Sequence, residues 1–491
     1  MTVIAIEKYN ETYIRVICEP SESFELRDYF TFDIPGAKYM PSFKSKAWDG
    51  KIRLFNHMTG LVYAGLRKYV EKFCEERGYT VHYLTDFSPE NFTLEQAEAF
   101  IAKLKQYGWL TMDPRDYQID GFVHAIREKR AFLLSPTASG KSLMMYLITR
   151  YYCGRHCLII VPTTGLVLQM KNDFIQYGMP EDQIHCIYSG QEKYTDEWVT
   201  ISTWQSIYKM PKHWFAKFNV VIGDEAHGFK ANSLKTIMNK MGTCEARIGV
   251  SGTLDGTKIN KLVLEGLFGP VKSVTTMREL MDAGHVSKLK IKCVVLEHPQ
   301  GIRQLLKKVD YQEEVKALLQ CPYRNRYIRN LALSLKGNTL VLFRYIEHGK
   351  ELHRQIQDKL QPYSGRNVYF VYGGVEAEER EVIRGIIEEQ ENAIIVASMG
   401  TFKMGVNIKK LHNIIFTHPS KDQITILQSI GRTLRLSEDK DYAALFDIAD
   451  NLSVKSWKNF TFQHFIERVK LYTEEDFDYK IYNIEMKEIN D

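Results

Sequence analysis

Ala131-Phe132-Leu133-Leu134-Ser135-Pro136-Thr137-Ala138-Ser139-Gly140-Lys141-Ser142, running on into Leu143 to Tyr151, is the stretch on which the fold turns. Ala131 to Leu134 is a short apolar run of the kind a buried strand makes, and Leu143 to Tyr151 suits a helix. The polar loop between them has small residues and then Lys141 and Ser142. Such a strand–loop–helix unit cradles phosphate oxygens on backbone amides and on the amino end of its helix. Lys141 is placed to reach the β- and γ-phosphates of a nucleotide, and the Ser142 hydroxyl to sit on Mg²⁺. Ser135 stands where the usual phosphate-loop pattern has its first glycine. A Gly-Lys-Ser tripeptide alone also occurs in surface turns, so the flanking strand and helix carry the reading.

Outward from this unit the rhythm continues. Cys157 to Val161, Trp198 to Ile201, Val220 to Ile222 and Arg247 to Val250 are apolar runs separated by helix-length segments. Thr339 to Phe343, Val368 to Val371, Ala393 to Ala397, Asn413 to Phe416 and Ala443 to Phe446 repeat the pattern. Alternating buried strands and helices predict two α/β units, each a parallel sheet covered on both faces. The joint is expected at Met281-Asp282-Ala283-Gly284-His285, after which Lys288 to Lys292 starts an alternating strand.

Asp224-Glu225 closes the run Phe218 to Ile222. A carboxylate there can orient a Mg²⁺ shell, the role given to Asp224, while Glu225 can position and deprotonate an attacking water. An acidic helix start after a strand is the plainer alternative, and the phosphate loop upstream favours the catalytic one. Arg432 and Arg435 lie about one helical turn apart and can face one cleft. There they can stabilise the charge on a transferred phosphoryl group, although alone they read as a basic helix face.

Together these motifs resemble those of superfamily 2 helicases over about residues 110 to 450. The resemblance implies α/β architecture: two tandem RecA-like parallel-sheet domains, a P-loop NTPase core, with ATP held between them by Thr137, Ala138, Ser139, Gly140, Lys141 and Ser142. It implies that Gln118, in Arg115-Asp116-Tyr117-Gln118, reads the adenine edge, and that Thr163, Thr203, Gln205 and Thr401 hold a nucleic-acid backbone. Ser251-Gly252-Thr253, with His227 and Gln428, resembles the element coupling hydrolysis to strand contact. Gly405 falls in a motif facing both nucleotide and nucleic acid, where Asn407 replaces a frequent acidic residue. The likeness extends to phage recombination helicases of the UvsW type through Phe43 to Leu54 and Gly60 to Leu66. It implies a DNA enzyme acting on forks, Holliday junctions and displacement loops, a viral origin, and action in the host cytoplasm.

The first 95 residues are rich in aromatics and are expected to form a small α+β DNA-binding domain. The domains then expected are 96–284, 285–453 and a helical extension, 454–491, in which Trp457 to Leu471 is a helix followed by an acidic tail. Between positions 38 and 53, Lys38, Lys44, Lys46, Lys51 and Arg53 face only Asp49, with Tyr39, Phe43 and Trp48 interleaved. Lysines among aromatics suit phosphate neutralisation and stacking. A small hairpin with an aromatic core and solvated lysines fits equally, so Lys44, Lys46, Lys51 and Arg53 are candidate DNA contacts and Trp48 a core residue.

Composition sets limits. The 491 residues suggest roughly three domains. A net charge of +5 asks for local basic patches rather than a global field. No apolar stretch approaches the ~20 residues of a membrane span, and Met1 to Glu11 has no signal core. The eight cysteines are scattered, and Cys153-Gly154-Arg155-His156-Cys157 reads as a helix end entering a strand, so a reduced intracellular chain without a metal cluster is expected. ATP, Mg²⁺ and DNA are the expected ligands; protein partners are not legible. Two other enzymes remain open: an RNA helicase, because motor motifs contact mainly backbone, and the translocating subunit of a restriction complex. An inactive DNA-binding scaffold is disfavoured by the intact Lys141, Asp224, Glu225, Arg432 and Arg435.

Overall fold

The computed structural model describes residues 2–486 except 35, 255–256, 361–364, 373–384, 386–388, 401–409, 420–425, 427–429 and 432–441. The chain divides into two compact units: Met1–Ser135 with Gly140–Thr275, and Pro136–Ser139 with Thr276–Asp491.

The first unit begins with strands β1 (Val3–Lys8), β2 (Tyr13–Ile17), β3 (Thr31–Asp33), β4 (Lys51–Arg53), β5 (Phe55–Asn56), β6 (Leu61–Tyr63) and β7 (Thr80–Tyr83). Five of them form a sheet in the order β5-β6-β2-β1-β7, and β3 pairs with β4 in a separate ribbon. Alternation in β1 and β2 buries Ile4, Ile6, Ile14 and Val16 on one face, the signature of a sheet covered on one side. These residues belong to a hydrophobic cluster that also contains Phe132, Leu158, Val221 and Phe268 of the following α/β domain. Polar bonds cross the same boundary. Arg247, fully buried, donates to the Thr12 hydroxyl at 2.7 Å and to the carbonyls of Met238 and Met241. Arg130 bonds the Glu11 carbonyl and carboxylate, and the Tyr69 hydroxyl donates to Glu265 at 2.6 Å. A Cβ on Gly65 would stand 1.9 Å from the Glu265 carbonyl oxygen, so only glycine lets the two backbones approach. The amino-terminal module is welded to its neighbour by packing, by the hydrogen bonds of buried Arg247 and by the part-buried Arg130–Glu11 ion pair.

The α/β domain of this unit contains β8 (Arg130–Leu134), β9 (Cys157–Val161), β10 (Ile184–Ile187), β11 (Val199–Thr203), β12 (Val220–Asp224), β13 (Ala246–Ser251) and β14 (Val271–Ser273). They form one parallel sheet in the order β10-β11-β9-β12-β13-β8-β14. The second unit contains β15 (Lys288–Glu297), β16 (Asn338–Phe343), β17 (Val368–Val371), β18 (Ile394–Ser398), β19 (Leu411–Phe416), β20 (Tyr442–Asn451) and β21 (Tyr479–Glu485). Its parallel sheet has the order β17-β18-β16-β19-β20-β15-β21. Adding seven to each strand number of the first sheet gives the second: these are two RecA-like domains of one topology.

Two expectations are corrected here. The carboxyl-terminal segment is not a helix with an acidic tail. After the helix Phe460–Glu474 the chain enters β21, which completes the sheet as the partner of β15. This strand is exposed along most of its length and carries Lys480, as edge strands do, so it offers no continuous apolar run. The helix is tied in by Glu314, whose carboxylate accepts from the backbone amides of Phe460 (3.0 Å) and Thr461 (2.8 Å), and by Asp447, which accepts from Arg468 and from the Tyr472 hydroxyl at 3.0 Å. Secondly, Trp48 is not in a core. Its indole N–H donates to the Lys51 carbonyl at 2.8 Å, while Tyr39 is 70% and Phe43 37% exposed. Leu26, Phe30, Val62, Leu66, Val70 and Phe73 build the module's interior instead, leaving these rings no interior to fill.

Candidate active site and nucleic-acid face

The loop Ser135–Gly140 joins β8 to the helix Lys141–Tyr151. Ala138 and Gly140 both have left-handed backbones, φ +69° and +76°. A left-handed non-glycine costs energy that the fold must offset, and such residues gather at functional sites. The Ser139 hydroxyl donates to the Pro136 carbonyl at 2.7 Å, drawing the loop into a tight turn, and Thr137 lies half-buried on it. Gly140 caps the helix, so the amides of Lys141 and Ser142 open its amino end, where anions are favoured. A Cβ on Gly140 would lie 2.4 Å from the Gln118 amide nitrogen. That nitrogen donates to the Gly140 carbonyl at 3.2 Å, and the Gln118 oxygen accepts from the Arg115 amide at 2.8 Å. Gln118 thus braces the loop from the start of its own helix, Asp116–Glu128.

Asp224 ends β12, beside β13 in the sheet. Burial, then the neighbouring Glu225, pushes its carboxyl up to about 6, against the pull of the Lys141 ammonium. Glu225 is left-handed at φ +46°, and its amide donates to Asp224 Oδ1 at 2.9 Å. Its carboxylate stands 3.3 Å from His227 Nδ1, which is also 2.9 Å from Ser251 Oγ. That hydroxyl donates to the Thr253 carbonyl at 3.0 Å, and the Ser251 carbonyl accepts from the Ser135 amide at 2.8 Å. Glu225, His227, Ser251 and Thr253 form one connected chain of contacts that ends where the phosphate loop begins.

Farther along the sheet, at the carboxyl ends of β9 and β11, sit the candidate backbone contacts. Thr163 caps the helix Thr164–Gln176, accepting from the Leu166 amide at 3.4 Å. Thr203 shares a 2.9 Å hydrogen bond with Ser206, and Gln205 donates to the Pro162 carbonyl at 3.4 Å. Lys44, Lys46 and Lys51 are exposed on the amino-terminal module. Arg53 is held by Asp49 at 2.5 Å, which ties down part of its charge. Thr401, Gly405, Asn407, Gln428, Arg432 and Arg435 lie outside the described residues.

Sequence reasoning missed Tyr177, whose hydroxyl shares a 2.8 Å hydrogen bond with Ser142 Oγ. No periodicity links two residues that far apart; the contact arises from packing of the helices that carry them. Among the described residues no group of three or more His, Cys, Asp or Glu forms a metal cluster, and no helix is long and apolar enough to cross a membrane.

Three family models match the chain: "DNA helicase UvsW, N-terminal" over residues 4–84, "Type III restriction enzyme, res subunit" over 111–256, and "Helicase conserved C-terminal domain" over 323–437. The ATP-dependent DNA helicase uvsW of Enterobacteria phage T4 is 33% identical, across 97% of this chain and 98% of its own. The chain belongs to the UvsW family of helicases. The crystal structure of T4 UvsW aligns with a TM-score of 0.51 at 31% identity, covering 99% of this chain and 100% of that one. A putative HsdR subunit of a type I restriction enzyme from Vibrio vulnificus aligns at 0.58 but with 17% identity, over 85% of this chain and 74% of its own, a likeness of fold alone. As a UvsW-family member, the chain carries the family's amino-terminal module as well as the motor.

Proposed function

We propose that this chain is an ATP-dependent DNA helicase or translocase that unwinds or branch-migrates forked, four-way and displacement-loop DNA. The observation carrying this reading is that Lys141, at the start of the helix after the β8 loop, lies near enough to Asp224 and Glu225 at the end of β12 to act on the Asp224 carboxyl, with Ser142 next to it in the chain. They lie in a chain similar over nearly its whole length to a phage DNA helicase. Similarity through the amino-terminal module favours DNA over the RNA alternative.

In this reading the amides of the phosphate loop and Lys141 hold the β- and γ-phosphates. The donor set fits Mg²⁺, which takes one or two protein oxygens and completes its shell from phosphates and water. Ser142 and Asp224 would supply those oxygens. Mg²⁺ would neutralise charge on the phosphates. Glu225 orients and deprotonates the attacking water. His227 and Ser251, in contact with Glu225, transmit its state toward Thr253 and the strand ends that carry Thr163, Thr203 and Gln205. Arg432 and Arg435 are proposed to stabilise the departing phosphoryl charge. Action in the cytoplasm of an infected host follows from the phage relative.

The test is steady-state ATP hydrolysis with matched single-stranded, duplex and four-way-junction DNA and with RNA, joined to a junction-resolution assay. Greatest stimulation by duplex or branched DNA, with ATP-dependent conversion of the junction, is the expected outcome. Stimulation by RNA alone overturns the substrate.

A further inference from the structure

The helix Thr164–Gln176 has a candidate DNA contact at one end and a nucleotide-site contact at the other. Thr163 is its amino cap and Tyr177 its carboxyl cap. Thirteen residues at 1.5 Å each make it about 20 Å long. Val167, Met170 and Phe174 bury one side, so it is packed along its length rather than anchored at one end. At the far end the Tyr177 ring meets Tyr146 edge-on with centroids 5.5 Å apart, and Tyr146 meets Phe174 at 5.3 Å. Ser142 and Tyr146 are four residues apart on the helix that follows the phosphate loop, hence on one face. Tyr177 touches both. Its carbonyl is fixed by the Thr111 amide at 3.1 Å.

The 2.8 Å bond between Tyr177 and Ser142 can run in two directions. A serine hydroxyl has one proton to give and two lone pairs to offer. When Ser142 donates to Tyr177, both lone pairs stay free and the oxygen is aimed for a divalent cation. When Tyr177 donates, one lone pair is taken and cation binding has to compete with the phenol. A phenol carries one proton to give and lone pairs to offer, so both directions are open. A displacement of the helix by less than an ångström is enough to weaken a bond of this kind.

We propose that Tyr177 is a positioning residue that sets the Ser142 hydroxyl for the Mg²⁺–nucleotide and, through the helix Thr164–Gln176, makes that setting respond to DNA held at Thr163. This rests on the function proposed above. It adds a second route between the two ligands, separate from the chain of contacts through His227 and Ser251. Linkage requires the effect to be reciprocal: whatever DNA does to Mg²⁺–nucleotide affinity, the nucleotide does to DNA affinity.

The full chain and its Tyr177→Phe variant test the proposal, with a fluorescent ADP analogue titrated with and without duplex DNA, and with Mg²⁺ or EDTA. In the wild type, DNA changes Mg²⁺–ADP affinity several-fold. In Y177F that factor shrinks at least three-fold toward unity and the Mg²⁺ midpoint rises. Metal-free ADP affinity, DNA affinity without nucleotide and the melting temperature stay within two-fold or two degrees. An unchanged factor and Mg²⁺ midpoint in Y177F overturn the proposal. Should Y177F fail to fold, 3-fluorotyrosine at position 177 keeps the ring and its packing. Its fluorine resonance is expected to shift on adding Mg²⁺–ADP and again on adding DNA; a signal blind to either ligand overturns the proposal. Absence of any DNA stimulation of ATPase in the wild type would instead strike the motor reading itself.

Discussion

The two parallel sheets share one strand order but end their strands differently. In the first, six residues, Ser135–Gly140, separate β8 from its helix. The Ser135 amide bonds the Ser251 carbonyl of neighbouring β13, and the loop then swings out as a left-handed turn. In the second, only His298 and Pro299 separate the equivalent β15 from the helix Gln300–Leu305. His298 Nε2 is 3.0 Å from Asp450 of the equivalent β20, and Arg324 grips the same carboxylate at 2.9 Å. All three side chains are buried. Loop length decides the difference. Six residues give room for a turn with left-handed Ala138 and Gly140, whereas two force the chain straight into its helix beside a buried ion network at the strand ends. One topology thus gives a sheet whose strand end opens into a loop and a sheet whose corresponding end is sealed.

Breaking the seal gives the largest effect. Asp450→Asn leaves Arg324 buried without its counter-ion, a loss of about 3–5 kcal/mol, and truncation after Ser453 removes the helix and β21 together. Calorimetry of the full chain should show the transition of the second unit lowered by the first change and missing after the second. At the open end, stability and function separate. Lys141→Ala should cut ATP turnover by roughly 100-fold or more while leaving the melting temperature and DNA binding nearly unchanged. Loss of DNA binding in that variant would contradict the assignment of Lys141 to phosphate.

The two ends also differ in their pH response. Burial lowers the His298 pKa, but its bonds to Asp450 and Cys321 outweigh this and lift it to about 9. Its stabilising contribution is complete below pH ~6.5, the unfolded value, and is lost as pH rises through 9. Asp224, lifted to about 6, binds its proton more tightly when folded, so that stability is lost earlier, as pH climbs from about 4 through 6. Asp224→Asn should abolish the early decline and stabilise the chain by on the order of 1–3 kcal/mol above pH 7, with catalysis abolished. His298→Gln should abolish the late one. Thermal melts across pH 4–9.5 separate these. The smallest effects belong to the exposed lysines. Lys44→Ala, Lys46→Ala or Lys51→Ala should each weaken DNA binding about two-fold and reduce the salt dependence by roughly one ion per residue.

The buried strands and the phosphate loop were legible because parallel strands covered on both faces must be continuous apolar runs. Asp224, Glu225, His227 and Ser251 were legible as motifs, and their mutual contacts confirm a shared location without measuring their roles. What stayed hidden was hidden for physical reasons. β21 is an edge strand, so its Tyr479, Ile481, Tyr482 and Ile484 are interrupted by Lys480 and Asn483 instead of forming a run. Arg247 opens an apolar run and looks like a strand boundary, yet it is fully buried because Thr12 and the carbonyls of Met238 and Met241 bond it. The aromatics near Trp48 invited a core reading, because composition cannot say which side of a small ribbon faces water.

Arg247 bears on how this module could be moved to another protein. A domain joined by a linker can be cut out and grafted, but this one has no seam at residues 85–95. Its transplant would carry away Thr12, Glu11 and Tyr69, stripping Arg247, Arg130 and Glu265 of these partners in the donor and leaving unpaired polar groups in the graft. Chimeras that exchange residues 1–90 alone should therefore be poor proteins whatever DNA they were meant to hold. Those that exchange the module together with Arg130, Arg247 and Glu265 have the better chance of remaining whole.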